Sequence, residues 1–287
     1  MGGVPAISIS PQQALQRSTG TARLTLAHLE GRSRLSQLYQ EGAAKIRLPR
    51  THNGSALDAV LINTAGGLTG GDRMQWSVDV GMGASAVVTT QACEKIYRAA
   101  SGSALVSTDV RLHSGATLAW LPQETILFDG SALSRKFDVD MAADAGLLVV
   151  EPLILGRKAM GETVQKAAFR DRWRIRLDGR LLHAEDLRLQ GDISALIKCR
   201  TTAWGNLAMA NLILVHRNAA DMVEPVRRLL GPDAAASAIR SSVGDRLMIR
   251  MLAPDGYDLR CQLIPVIELC NTTLSGSQQG LPKIWTL

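Results

Sequence analysis

From Met74 to Val80 apolar and polar residues alternate. Met74, Trp76, Val78 and Val80 share one face of an extended chain, and Gln75, Ser77 and Asp79 the other. Successive side chains of a strand point to opposite sides of the sheet, so this period of two predicts a half-buried strand. It recurs at Val106–Leu112, with Val106, Val110 and Leu112 inward, at Phe137–Met141, and at Leu247, Ile249 and Met251. Glycines punctuate the intervals, among them Gly31, Gly42, Gly81, Gly102, Gly115, Gly130 and Gly146. Turn residues at that spacing, with short alternating runs between them, predict a mainly β chain. Helical spacing is confined to the last third. Met222, Val223, Val226, Leu229 and Leu230 follow it, and Gly231-Pro232 supplies a stop. Asp233 is placed to cap a second short helix through Ile239. A third candidate starts near Leu259, with Pro265 expected to kink it or end it early. No repeat of fixed period and no Pro-rich or Ser-rich linker divides the chain. The expectation is one domain over 1–287, with 1–19 a flexible N-terminal segment and a few helices towards the C-terminus.

Composition narrows the class. The 287 residues are 46% hydrophobic and 20% charged, which provides for a core and excludes a disordered or low-complexity chain. The net charge of +6 is mild for this length, and 4% aromatic content offers few stacking platforms, so nucleic acid is not an expected partner. The longest apolar stretch, Leu207–Val215, is interrupted by Asn211 and falls far short of the ~20 residues of a membrane span. Met1–Ser10 has neither a basic nor an apolar leader region, which makes the cytoplasm the expected compartment. Cys93, Cys199, Cys261 and Cys270 show no metal-binding spacing and are expected as small buried hydrophobes.

Few motifs carry chemistry. Gly81-Met82-Gly83-Ala84-Ser85-Ala86 follows a strand like a dinucleotide fingerprint, but Val87-Val88-Thr89-Thr90 favours another strand where the fingerprint needs a helix, so a hairpin turn is expected. No GxxxxGK[ST] or GxSxG occurs, and the five histidines are scattered singly. Arg170, Arg172, Arg174 and Arg176 lie two apart, which on a strand aligns four guanidinium groups over roughly 20 Å. That face is either a solvated strand surface or a docking strip for an acidic partner, since arginine forks pair carboxylates bidentately. Leu61–Asp72 holds two Gly-Gly pairs, Gly66-Gly67 and Gly70-Gly71, that permit tight turning and close backbone approach. Glu151 follows the apolar run Leu147–Val150, and Arg157 and Glu162 come soon after. A carboxylate in that setting needs a partner, which makes it a candidate for an ion pair or for metal handling.

These two runs resemble the UreD (UreH) urease accessory proteins. The likeness continues through Thr90–Arg98 (Thr-Gln-Ala-Cys-Glu-Lys-Ile-Tyr-Arg), Leu121–Phe128 (Leu-Pro-Gln-Glu-Thr-Ile-Leu-Phe) and Leu281–Trp285 (Leu-Pro-Lys-Ile-Trp), and covers roughly Gly20 to the end. The resemblance implies a β-helix-like stack of many short strands. It also implies a non-catalytic maturation factor that binds urease apoprotein and UreF, which carries the GTPase UreG, in a hetero-oligomer. Nickel would be its cargo in transit, through a polar internal channel, with no organic cofactor and no membrane. Carried over by position, the channel candidates are Asp72, Glu94 and Glu151, with Arg157 supporting. Oxygen ligands suit a conduit, because carboxylates release a divalent ion more readily than thiolates or clustered imidazoles. The stretch Leu263–Gly280 departs from the helical pattern the resemblance implies, which would alter a UreF contact there. From a different class, a β-rich small-molecule-binding enzyme would use Asp72, Glu94 and Glu151 as acid/base groups.

Overall fold

The structure is a computed structural model describing residues 16–50, 56–157, 160–277 and 280–286. Of the segment expected to be flexible, 1–15 lie outside the described residues. The first strands are β1 (Thr19–Leu29), β2 (Arg32–Gly42), β3 (Ala44–Arg47) and β4 (Leu57–Asn63). The central portion holds β5 (Arg73–Val80), β6 (Ser85–Thr90), β7 (Glu94–Ile96), β8 (Ala104–Leu112), β9 (Thr117–Leu121), β10 (Thr125–Leu127), β11 (Ser131–Met141), β12 (Gly146–Leu155) and β13 (Lys166–Leu177). After β14 (Arg180–Asp192) come α1 (Ile193–Lys198), β15 (Ala208–Val215), α2 (Val223–Arg227), β16 (Ala234–Ile239), β17 (Arg246–Ala253) and α3 (Gly256–Ser275).

Two sheets face each other. The first runs β14-β13-β11-β8-β5-β1-β2, parallel in its interior and antiparallel at both edges. The second runs β16-β17-β15-β12-β9-β6-β4-β3, with β10 joining β12 to β7. From β4 to β13 the chain alternates between them, so each circuit adds a rung to both, as in a β-solenoid. Arg73 pairs with Leu105, Leu105 with Ser134 and Ser134 with Arg170. Circuits of 32, 29 and 36 residues explain why no fixed period shows in the sequence.

The first sheet buries one face, and its strands alternate as expected: Met74, Trp76, Val78 and Val80 are all inside. The second is covered on both faces, by the first sheet and by α3, so β6 and β12 are buried along nearly their whole length without alternation. The Gly81–Ala86 turn is not a hairpin. It carries the chain from β5 in one sheet to β6 in the other.

Three further expectations change. Asp233–Ile239 is not a helix, because its alanines pair antiparallel with β17 and extend the sheet. Pro265 does not end α3, which runs to Ser275 and closes on Gly276 in the left-handed conformation. The proline lies on the exposed side of the helix, while Leu259, Leu263, Val266, Ile267, Cys270 and Leu274 pack on the sheet. At about 1.5–3 kcal/mol for each large apolar side chain, that burial outweighs the ~3 kcal/mol of an interior proline. Of the cysteines, Cys270 is buried and Cys93 half-buried, but Cys199 and Cys261 are exposed. No helix among the described residues is long and apolar enough to cross a membrane.

Candidate functional site

The Gly-rich run after β4 forms a tight loop. A Cβ at Gly67 would lie 2.4 Å from the Tyr97 ring, and one at Gly70 2.2 Å from the Ser101 carbonyl, so only hydrogen fits. Asp72 ends the loop as a clamp: its two carboxylate oxygens accept from the Ser18 and Thr69 backbone N–H groups at 2.8 and 2.7 Å. Asp72 is buried, but it holds backbone and does not line the interior cavity described next.

That cavity, of about 60 Å³, lies between the sheets. The second sheet contributes Glu94, Trp120, Thr125 and Glu151, and the first contributes Trp76, Thr108 and Arg135. Each side chain occupies the inward phase of its strand. Glu94 precedes Ile96, Thr125 precedes Leu127, and Arg135 stands between Leu133 and Phe137, all of these apolar residues belonging to the core. The result is a polar layer inside an otherwise apolar sandwich.

Arg135 organises it. Its Nε and Nη2 donate to Asp171 Oδ1 and Oδ2 at 3.0 and 2.7 Å, its Nη1 donates to Thr125 Oγ1 at 3.2 Å, and Nη1 lies 2.5 Å from Glu151 Oε2. Trp173 Nε1 supports Asp171 at 3.1 Å, and Trp120 Nε1 donates to Glu151 Oε1 at 3.0 Å. Glu151 Oε2 therefore has an ion contact but no aligned hydrogen bond. Burial works against the guanidinium charge of Arg135, yet Asp171 and Glu151 outweigh it and hold the group more firmly protonated than usual. Burial pushes the Glu151 carboxyl above the ordinary range against the pull of Arg135. Glu94, with one hydrogen bond from Asn63 Nδ2 at 3.0 Å, is pushed by burial up to about 7.

β15 runs beside the layer. Asn211 stands opposite Glu151 in the antiparallel β12–β15 register. It also lines two outer grooves, one of about 520 Å³ bounded by Leu187, Leu196 and Trp204, the other of about 320 Å³ bounded by His183 and Glu185. Arg250 borders both grooves and donates to Glu185 at 2.7 and 2.8 Å, tying the two sheets together.

Of the four channel candidates, Glu94 and Glu151 thus share a cavity, whereas Asp72 and Arg157 stand apart. Arg157 pairs with Glu162 at 2.8 Å and lies 4.2 Å over the Phe128 ring, with its side chain 45% exposed. The cation beside Glu151 is Arg135. Its signal was present in the sequence: a charge in the inward phase of an alternating strand, as is Asp171 between Phe169 and Trp173.

Arg170, Arg172, Arg174 and Arg176 do share the outer face of β13, but neighbouring strands engage them. Arg170 binds Asp186 at 2.9 Å, Arg172 and Arg176 approach Asp138 and Asp140 at 3.5 and 4.0 Å, and Arg174 donates to the Trp173 and Glu185 carbonyls. Hydrogen bonds from Arg170 and Arg188 hold the Asp186 carboxyl well below the usual range.

A second buried ion pair joins distant parts of the chain. Arg260 of α3 donates to Gln123 Oε1 and Glu124 Oε1, both at 2.9 Å, and to the Ile284 carbonyl at 2.7 Å. Its guanidinium lies 4.8 Å over Trp285, whose Nε1 donates to the Leu121 carbonyl at 2.9 Å. Cys93 donates to Glu124 Oε2 at 3.3 Å, and burial with that carboxylate pushes its thiol up to about 12. Three motifs separated in sequence (93–95, 121–124 and 281–285) thus meet at one junction.

Comparison with known proteins gives one consistent result. The family described as "UreD urease accessory protein" matches residues 18–286. The urease accessory protein UreD 1 of Brucella abortus biovar 1 (strain 9-941) is 48% identical over 274 residues, covering 96% of each chain. UreD of Mesorhizobium japonicum is 48% identical over 287 residues, the full length of both. UreD 1 of Brucella anthropi is 50% identical over 275 residues, covering 94% of this chain and 95% of its own.

Proposed function

The chain belongs to the UreD family of urease accessory proteins, and on that footing we propose that it is a non-catalytic maturation scaffold. It binds urease apoprotein and the UreF–UreG complex, and it passes nickel towards the urease metallocentre through its interior. The observation that carries this reading is the in-register pair of Glu151 and Asn211, one lining the interior cavity and the other the outer grooves. Together they form a polar route across a layer that would otherwise be apolar. Glu151 shares its two oxygens between Arg135 and Trp120, and Glu94 accepts from Asn63; conduction requires sites that release as well as bind.

Cavity size favours an ion over an organic substrate. About 60 Å³ holds a few waters, or an ion stripped of most of its hydration shell, well below the ~300–1,000 Å³ of small-molecule sites. Asp72 serves the route by fixing the Gly-rich loop next to β7, and Arg157 serves it only by bracing the neighbouring turn through Glu162. On the outer face, the arginine strip of β13 remains the proposed docking surface, with Arg170 and Arg176 the more exposed of its side chains. The test is activation of apo-urease by the chain together with UreF and UreG. Replacing Glu151 should lower nickel incorporation while leaving the complex assembled, whereas normal incorporation would end the conduit reading.

A further inference from the structure

We propose that Arg135 is a built-in stand-in cation, a positioning residue that occupies the cation position at Glu151 and that a divalent ion must displace. The inference rests on the conduit reading for the identity of the cargo, but the cation site itself stands on its own geometry.

Three charged groups are packed here largely away from solvent. Arg135 carries one positive charge against the two carboxylates of Asp171 and Glu151, all three side chains being 11% exposed or less. Fully ionised, the triad is short of one positive charge, and Glu94 faces the same cavity with a hydrogen bond from Asn63. Buried charge without compensation is costly, so a layer with surplus negative charge attracts any cation that can reach it.

The contacts of Arg135 are unequal. Asp171 takes it in two parallel hydrogen bonds, the geometry in which a guanidinium is held most firmly. Glu151 takes it through a single close contact without aligned hydrogen bonding, and Thr125 through one neutral acceptor. The Asp171 fork is therefore the anchor and the Glu151 contact the one that yields. When a dication arrives at Glu151 Oε2, the guanidinium can stay on Asp171 while Nη1 gives up the carboxylate. When the dication leaves, Nη1 returns. The site thus avoids both an unpaired carboxylate when empty and a deep trap when filled.

The decisive comparison keeps net charge constant. Arg135→Gln with Asp171→Asn removes one positive and one negative charge, so the net charge of the layer is unchanged while Glu151 loses its internal competitor. Ni²⁺ is titrated into the purified full-length chain by calorimetry, with circular dichroism confirming the fold. The double variant should bind one Ni²⁺ at least about tenfold more tightly than the unaltered chain, the lower end of what an opposite charge at this range contributes. Adding Glu151→Gln should return the affinity to the starting level. Wild-type affinity in the folded double variant, or tight binding that survives Glu151→Gln, would overturn the proposal. Should the double variant fail to fold, Arg135→Lys substitutes for it: a point charge without the fork should loosen the anchor and weaken Ni²⁺ exclusion, and unchanged exclusion would overturn the proposal. The outcomes separate from those of the conduit reading. Tight Ni²⁺ capture with undiminished activation by Glu151→Gln would refute the conduit and leave the stand-in cation intact.

Discussion

Asn211 stands directly across from Glu151 in the β12–β15 ladder, so the one polar residue in the long apolar run of β15 meets the one charged residue in that of β12. Side chains opposite each other in an antiparallel pair are close neighbours on the same face. Asn211→Leu should therefore seal the route between cavity and groove. Nickel-dependent activation of apo-urease should fall at least several-fold, with thermal stability unchanged or raised, because an apolar side chain suits the surrounding core. Unchanged activation would show that ions do not pass Asn211.

The junction of Arg260, Glu124 and Trp285 is a stability element. Arg260→Ala leaves Glu124 buried without its counter-charge and should cost about 3–5 kcal/mol. Trp285→Ala empties a fully buried site and should cost a similar ~3–5 kcal/mol. Because the two side chains stack and brace the same segment, the double variant should cost clearly less than the sum, by about 0.5–3 kcal/mol. Urea titrations of the four proteins check this, and strict additivity would mean that the two act separately.

Glu94 makes stability depend on pH. Burial raises its carboxyl from 4.5 to about 7. The folded state favours its protonated form, so this contribution is fully present below pH 4.5 and is lost as pH rises towards 7. Glu94→Gln removes the dependence. Relative to the unaltered chain, the variant should gain up to about 3 kcal/mol between pH 5 and pH 8. Parallel denaturation curves at both pH values would refute the burial of an ionisable Glu94.

The arginine strip gives a different kind of prediction. Arg172→Glu with Arg174→Glu places new carboxylates beside Asp138 and reverses two charges of the strip. Copurification with the accessory partners or urease apoprotein should drop and become less sensitive to salt, since screened charge pairs carry the contact. Retention equal to that of the unaltered chain, at low and high salt, would remove the strip as a docking surface.

How much the sequence disclosed depended on which sheet a residue joined. Strands with one solvated face, such as β5 and β11, announced themselves by alternation. β6 and β12 are covered on both faces and lack the period of two, so the β-branched run Val87–Thr90 and the flanking turns are the signals that mark them. Asp233–Ile239 misled because alanine favours helix and nothing local reveals that β17 offers an open edge. Pro265 misled because the packing of α3 exceeds the cost of the proline. Within the site, Glu94 and Glu151 were found from their segments, while Arg135 and Asp171 went unnoticed although each is a charge in an inward phase. Asp72 and Arg157 were near the right segments, but loop closure and an exposed ion pair account for what they do.

Glu151→Gln offers the cleanest test of an interior nickel route, because it leaves Arg135 and Asp171 as a balanced pair and so preserves the fold. The variant is coexpressed with UreF, UreG and urease apoprotein, and the nickel content of the purified urease is counted per active site. The expected result is an intact accessory complex and urease with at least about tenfold less nickel, the loss of one charge contact at close range. Urease loaded to the normal level by an equally intact complex would show that nickel reaches it by another way.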